Sequence, residues 1–167
     1  MLTGSTRTRS ELATALRRRG IEDNVAVAVL DRLVEVGLVD DAGFAEAFVV
    51  TKHRDRGLGR AALRTELRRR GIDPDVAASA ASAIDDAAER ERAVALVVKR
   101  LDSAVYAGPE AGRRRLLGLL ARRGYSASLA TSVVEEALNG FVPPLDPGSI
   151  GCDGSVAEWG GIDGDEA

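Results

Sequence analysis

The stretch "LRRRG" at residues 16–20 recurs letter for letter at residues 67–71, and "LARRG" follows at residues 120–124. Its glycines, Gly20, Gly71 and Gly124, stand 51 and 53 residues apart. Four and eight positions before them lie Leu16 and Leu12, Leu67 and Leu63, and Leu120 and Leu116. Leucines at i and i+4 share one helix face, so each copy is read as a helix with a leucine seam. Two arginines precede each glycine: Arg18 and Arg19, Arg69 and Arg70, Arg122 and Arg123. Cations in a last turn complement the helix dipole, and glycine supplies the left-handed residue that ends the helix. Arg9, Arg60 and Arg113 stand eleven positions before the three glycines.

Outward from this motif the likeness continues. Ile21, Ile72 and Tyr125 follow the glycines, placed to pack back on the helix just ended. Helix starts come next, at Glu22-Asp23, Asp73-Pro74 and Ser126, and the following helices carry Val25, Val76 and Leu129 at one offset. Asp followed by Pro is a strong N-cap and N1 pair. A leading helix is placed by Phe44 and Phe48, and by Val97 and Leu101, which stand 27 and 23 residues before Gly71 and Gly124. The repeat is therefore three helices, predicted over residues 41–54, 59–70 and 74–84, then 89–101, 109–123 and 127–138. For the first unit the same arithmetic places the leading helix before Met1, leaving helices over 8–19 and 24–36 and a seam leucine pair expected to be under-covered. A period of about fifty in a helical chain reads as a short solenoid of stacked units.

The 167 residues suffice for such an array. Apolar residues make up 45% but aromatics only 4%, which favours thin helix–helix seams over a thick core, and no segment alternates with period two. The expected class is all-α: tandem three-helix repeats in a short curved solenoid, the first repeat short by one helix. The repeats are read at about 7–39, 40–86 and 87–139 within a domain spanning 1–139. Residues 140–167, rich in Gly, Pro and Asp, are read as a disordered acidic tail. That tail holds six carboxylates and no base, so the overall charge of −3 conceals +3 over residues 1–139. No apolar run approaches the roughly 20 residues of a membrane span, no signal-peptide pattern opens the chain, and Cys152 is the lone cysteine. A reducing cytoplasm is the expectation.

Four segments carry a family resemblance: "RTRSELATALRRRGI" (7–21), "LVEVGLVDDAGFAEAFVVTKHR" (33–54), "GRAALRTELRRRGID" (59–73) and "RRRLLGLLARRGYS" (113–126). Together they resemble the RecX family of bacterial recombination regulators over about four fifths of the chain. The resemblance implies an elongated, curved array of three-helix repeats. It also implies a monomeric, non-enzymatic protein that binds the RecA recombinase, lies along the groove of its filament on DNA, and damps its strand-exchange, ATPase and coprotease activities. Two departures stand out. The family's usual opening helix has no counterpart here, which a start codon upstream of Met1 would supply, and the acidic tail is longer than the family requires.

Other motifs read blandly. Gly57, Gly59 and Ala62 match a dinucleotide fingerprint, but that mechanism needs a preceding strand, and a basic helix precedes it here. Asp40 and Asp41 read as a helix cap, and His53, without a Cys or His partner, as a surface residue, so neither a metal nor a catalytic site is expected. No cofactor is expected either. The arginines are the candidate site. Arg60, Arg64 and Arg68 recur every four residues, with Arg69 and Arg70 extending the row; Arg113, Arg114 and Arg115 open the third-unit helix that Arg122 and Arg123 close. Arginines opening a helix oppose its dipole, so capping does not account for them. These ten are expected to form a basic face toward phosphates or an acidic partner. Tyr106 and Tyr125 alone could stack on bases there, so bare DNA is expected to bind weakly. An autonomous helix-turn-helix DNA-binding regulator is the alternative that short basic helices and Gly turns also allow.

Overall fold

The computed structural model describes residues 7–140, and the predicted acidic tail lies outside them apart from Gly140. Eight helices and no strand are found among the described residues. They are α1 (Arg9–Arg18), α2 (Asp23–Glu35), α3 (Asp41–Arg56), α4 (Arg60–Arg69), α5 (Pro74–Ser82), α6 (Asp86–Val105), α7 (Pro109–Arg122) and α8 (Ala127–Asn139).

Helix starts follow their capping chemistry. The Thr8 hydroxyl accepts from the Glu11 amide while Glu11 reaches back to the Thr8 amide, a reciprocal capping box. Asp40 accepts from the Gly43 amide, Asp73 from those of Asp75 and Val76, and Ser126 from that of Leu129. α6 departs most from its predicted span of 89–101. Asp85 caps it by accepting from the Ala88 amide, so the helix begins three residues earlier. It ends only at Val105, because Ala104 is buried where α6 meets α7 at Gly112.

The helices group as the repeat requires: α3, α4 and α5 pack together, as do α6, α7 and α8, while α1 and α2 stand as a pair. Each three-helix unit encloses its own core. In the second, Leu63 and Leu67 are fully buried among Ala45, Phe48, Val49, Ile72 and Ala77. In the third, Leu116 and Leu120 are buried among Ala93, Val97, Tyr125 and Val133. Leu12 and Leu16 are only half-buried. Among the described residues no third helix stands beside them, and α2 accordingly leaves Val25 49% and Val29 45% exposed, with Leu38 beyond it at 58%. Apolar side chains left in water forgo about 1.5–3 kcal/mol each at full exposure, so this pair of helices is the least stabilised part of the fold.

Candidate functional site

The repeated motif turns out to be a joint between units. Gly71 and Gly124 end α4 and α7 with φ of 78° and 80°, and each sits against the start of the homologous helix one unit earlier. A Cβ at Gly71 would overlap Ser10 of α1, and one at Gly124 would overlap Ala62 of α4. Gly20 has the same φ, 78°, with nothing within 4 Å, because no unit precedes it among the described residues.

Hydrogen bonds repeat with the geometry. Thr8 Oγ1 donates to the Arg70 carbonyl at 2.8 Å; one unit on, the Gly59 amide donates to the Arg123 carbonyl at 2.8 Å. Those carbonyls are the orphaned acceptors of a helix C-terminus, and the donors belong to helix N-termini. Opposite dipole ends therefore meet at each joint. A carboxylate from the following unit's leading helix completes each N-terminus: Asp41 Oδ1 accepts from the Arg9 amide at 2.9 Å, and Glu89 Oε1 from the Arg60 amide at 2.9 Å. The second case explains why α4 has no capping side chain of its own. A Cβ at Gly59 would lie 2.7 Å from the Gly124 oxygen, so the position admits only glycine and the cap comes from α6. The units are thus tied largely through helix ends rather than through one continuous apolar seam.

The ten arginines expected on one basic face divide into two groups. Four have internal duties. Arg60 donates to the Ile84 carbonyl at 2.8 Å and pairs with Asp86 at 2.7 Å and Glu89 at 3.4 Å. Arg113 pairs with Glu135 at 3.1 Å, as Arg9 pairs with Asp31, so in the third and first units this position ties the second helix of the repeat to its third. Arg70 reaches back to Glu11 at 3.0 Å and lies over Phe44 and Phe48, 5.8 and 5.1 Å from their centroids. Arg123 donates to the Arg56 carbonyl. The other six, Arg64, Arg68, Arg69, Arg114, Arg115 and Arg122, are exposed and unpaired among the described residues. Spacing alone had placed all ten together, because a four-residue period reports a helix face but not which of its cations meet a carboxylate across the joint.

Arg64 borders a cleft of about 960 Å³ at the second joint, where Arg60, Arg64 and Arg90 face Asp85, Asp86 and Glu89. Tyr125, buried beside it, donates to the Gly57 carbonyl at 3.1 Å. Its phenol is pushed up to about 12, chiefly by burial and secondarily by Glu89, against the opposing pull of Arg92 and Arg123. His53, read from sequence as a surface residue, is half-buried, with Nδ1 2.8 Å from the Leu58 carbonyl, and so holds the α3–α4 turn. Gly57 and Gly59 lie in that turn between two helices, with no strand before them, which removes the dinucleotide reading. Among the described residues no group of His, Cys, Asp and Glu could hold a metal ion, and no helix is long and apolar enough to cross a membrane.

These features define a protein of tandem three-helix repeats with an arginine-rich exterior, an architecture suited to contact along an extended surface. Comparison with known proteins agrees. Residues 1–33 match the model of the first three-helix domain of RecX, and residues 40–80 that of the second. The Regulatory protein RecX of Thermobifida fusca is 51% identical over 138 residues, 83% of this chain and 75% of that protein. That of Mycolicibacterium smegmatis is 49% identical over 142 residues, covering 83% and 76%. The crystal structure of RecX from Lactobacillus salivarius superposes with a TM-score of 0.76 at 23% identity, covering 83% of this chain and 89% of that one. The chain belongs to the RecX family.

Proposed function

We propose that this chain binds the RecA recombinase and its DNA filament and negatively modulates recombinase, ATPase and coprotease activity, in the cytoplasm and in the service of recombinational repair and the SOS response. It acts as a monomer without catalytic activity of its own, and bare DNA is a weak partner. The observation that carries this reading is the set of six exposed, unpaired arginines, Arg64, Arg68, Arg69, Arg114, Arg115 and Arg122, on a chain of the RecX family. Guanidinium groups without an internal carboxylate remain free for bidentate contact with phosphates or acidic side chains. Of the four tied arginines, Arg60, Arg70 and Arg123 contribute by keeping successive units in register, and Arg113 by holding α7 to α8.

Charge reversal tests it. Arg64→Glu with Arg68→Glu, or Arg114→Glu with Arg115→Glu, should weaken inhibition of the RecA-filament ATPase while far-UV circular dichroism stays unchanged, since all four side chains are exposed. Undiminished inhibition by both double variants refutes the assignment of this face. An autonomous DNA-binding regulator, by contrast, would footprint a defined duplex without RecA.

A further inference from the structure

A second cluster of cations lies between the C-terminal end of α3 and the helices α6 and α7. Arg56, Arg92, Lys99, Arg100 and Arg123 line one cleft of about 520 Å³, with Leu96 and Leu119 as its apolar wall and Asp55 as its one carboxylate. That carboxylate is already taken, because Arg54 pairs with Asp55 at 2.9 Å. Five cations therefore face one space without a free counter-charge among the described residues.

Part of this cluster has a structural account. Arg92 donates to the Arg54 carbonyl and Arg123 to that of Arg56, which satisfies orphaned acceptors at the end of α3. That account stops short of Arg56, Lys99 and Arg100, which make no ion pair among the described residues. It also leaves the Arg92 Nε–H, shielded from solvent and without a hydrogen-bond partner. A buried donor left unsatisfied costs free energy, and like charges gathered in one cleft repel. A bound anion relieves that repulsion. On α6, Arg92, Leu96, Lys99 and Arg100 stand at i, i+4, i+7 and i+8, so one helix face presents three of the five cations.

We propose that this cleft at the second joint is a phosphate-binding site. A carboxylate carries one charge and is satisfied by a single bidentate arginine. A phosphate offers more acceptor oxygens in a tetrahedral arrangement, which suits several cations converging from α3, α6 and α7. The phosphate comes either from a nucleic-acid strand or from a free phosphate compound. The site is separate from Arg64, Arg68, Arg114 and Arg115, and the isolated protein suffices to examine it.

The experiment compares three full-length proteins: the wild type, Lys99→Ala with Arg100→Ala, and Arg17→Ala with Arg32→Ala, a control of equal charge change at exposed positions of α1 and α2 outside both basic surfaces. Pyrophosphate binding is read by calorimetry, and a fluorescein-labelled oligo(dT) of twelve nucleotides by anisotropy over a salt series. The cleft variant should bind pyrophosphate at least about tenfold more weakly than the wild type, the control remaining near it. If the strand enters the cleft, the cleft variant also lowers the salt slope for the oligonucleotide by about 1.4, for two lost phosphate contacts. Loss of pyrophosphate alone assigns the site to a free phosphate compound; loss of the oligonucleotide alone assigns it to a strand. Indistinguishable affinities of cleft variant and control for both probes overturn the proposal. So does an oligoglutamate peptide that displaces pyrophosphate at lower concentration than the oligonucleotide does. Failure here with intact filament inhibition leaves the filament reading standing, and the reverse result leaves this one standing.

Discussion

Replacing the three motif glycines by alanine separates the cost of a left-handed backbone from the cost of breaking a joint. Gly20, Gly71 and Gly124 share φ values of 78°, 78° and 80°, so each alanine incurs a similar conformational penalty, roughly 1–2 kcal/mol. Gly20→Ala should cost little more, since nothing lies within 4 Å of the added Cβ. At Gly71 the Cβ would overlap Cβ and Oγ of Ser10, and at Gly124 the backbone nitrogen and Cβ of Ala62, all well below 3.0 Å. Overpacking of that kind typically adds about 1–3 kcal/mol, which puts Gly71→Ala and Gly124→Ala at about 2–5 kcal/mol. The Gly71 value has a ceiling. The first joint includes the Thr8–Arg70, Arg9–Asp41 and Arg70–Glu11 contacts, and once strain exceeds what they supply, α1 and α2 undock instead. Native-state amide exchange with urea unfolding reads both effects. In Gly71→Ala, protection in α1 should fall while that in α7 persists. Ser10→Gly in the same background should restore it, with a coupling of about 1 kcal/mol or more in the double-mutant cycle. A Gly71→Ala cost no greater than that of Gly20→Ala would refute the joint.

Further outcomes follow from the same contacts. In the native chain, amides of the Leu12–Leu16 turn should exchange through a smaller opening free energy than those of the Leu63–Leu67 turn, because the first seam is half-buried and the second fully so; equal protection would mean the first pair is covered by another route. Tyr125→Phe should destabilise by about 1 kcal/mol near neutral pH, by loss of the hydrogen bond to Gly57. Tyr125 also predicts a pH window. Its phenol ionises near 10 when unfolded and near 12 when folded, so between these values the unfolded chain releases its proton first. The stabilisation is whole below pH 10 and disappears as pH rises toward 12, a loss of roughly 2–3 kcal/mol. Urea midpoints at pH 9 and 11 should accordingly drop further for the native chain than for Tyr125→Phe. Arg60→Met should cost more than Arg64→Met in the same assay, since only Arg60 leaves Asp86, Glu89 and the Ile84 carbonyl without their partner.

Most of the architecture was legible in the chain because its determinants are local. Leucines at i and i+4 fix a buried face, a left-handed glycine fixes a helix end, and Asp73-Pro74 or Ser126 fixes the next start. Three copies at nearly equal spacing then imply stacked units, and the under-covered Leu12–Leu16 pair follows from the same offsets. Tertiary structure alone decided what the arginines do. Arg60 and Arg64 share a row and a composition, yet one is tied to Asp86 and Glu89 and the other is free. Arg69 and Arg70 are neighbours in sequence, yet only Arg70 meets Phe44, Phe48 and Glu11. The partners lie 22 to 59 residues away in the chain, and no periodicity records which carboxylate or ring will face a given guanidinium. The sense of "LRRRG" changed for the same reason. Read locally it ends a helix; in three dimensions its last arginine and its glycine are the surface on which the preceding unit rests, because a helix end leaves open carbonyls that a hydroxyl or amide at another helix's N-terminus can fill.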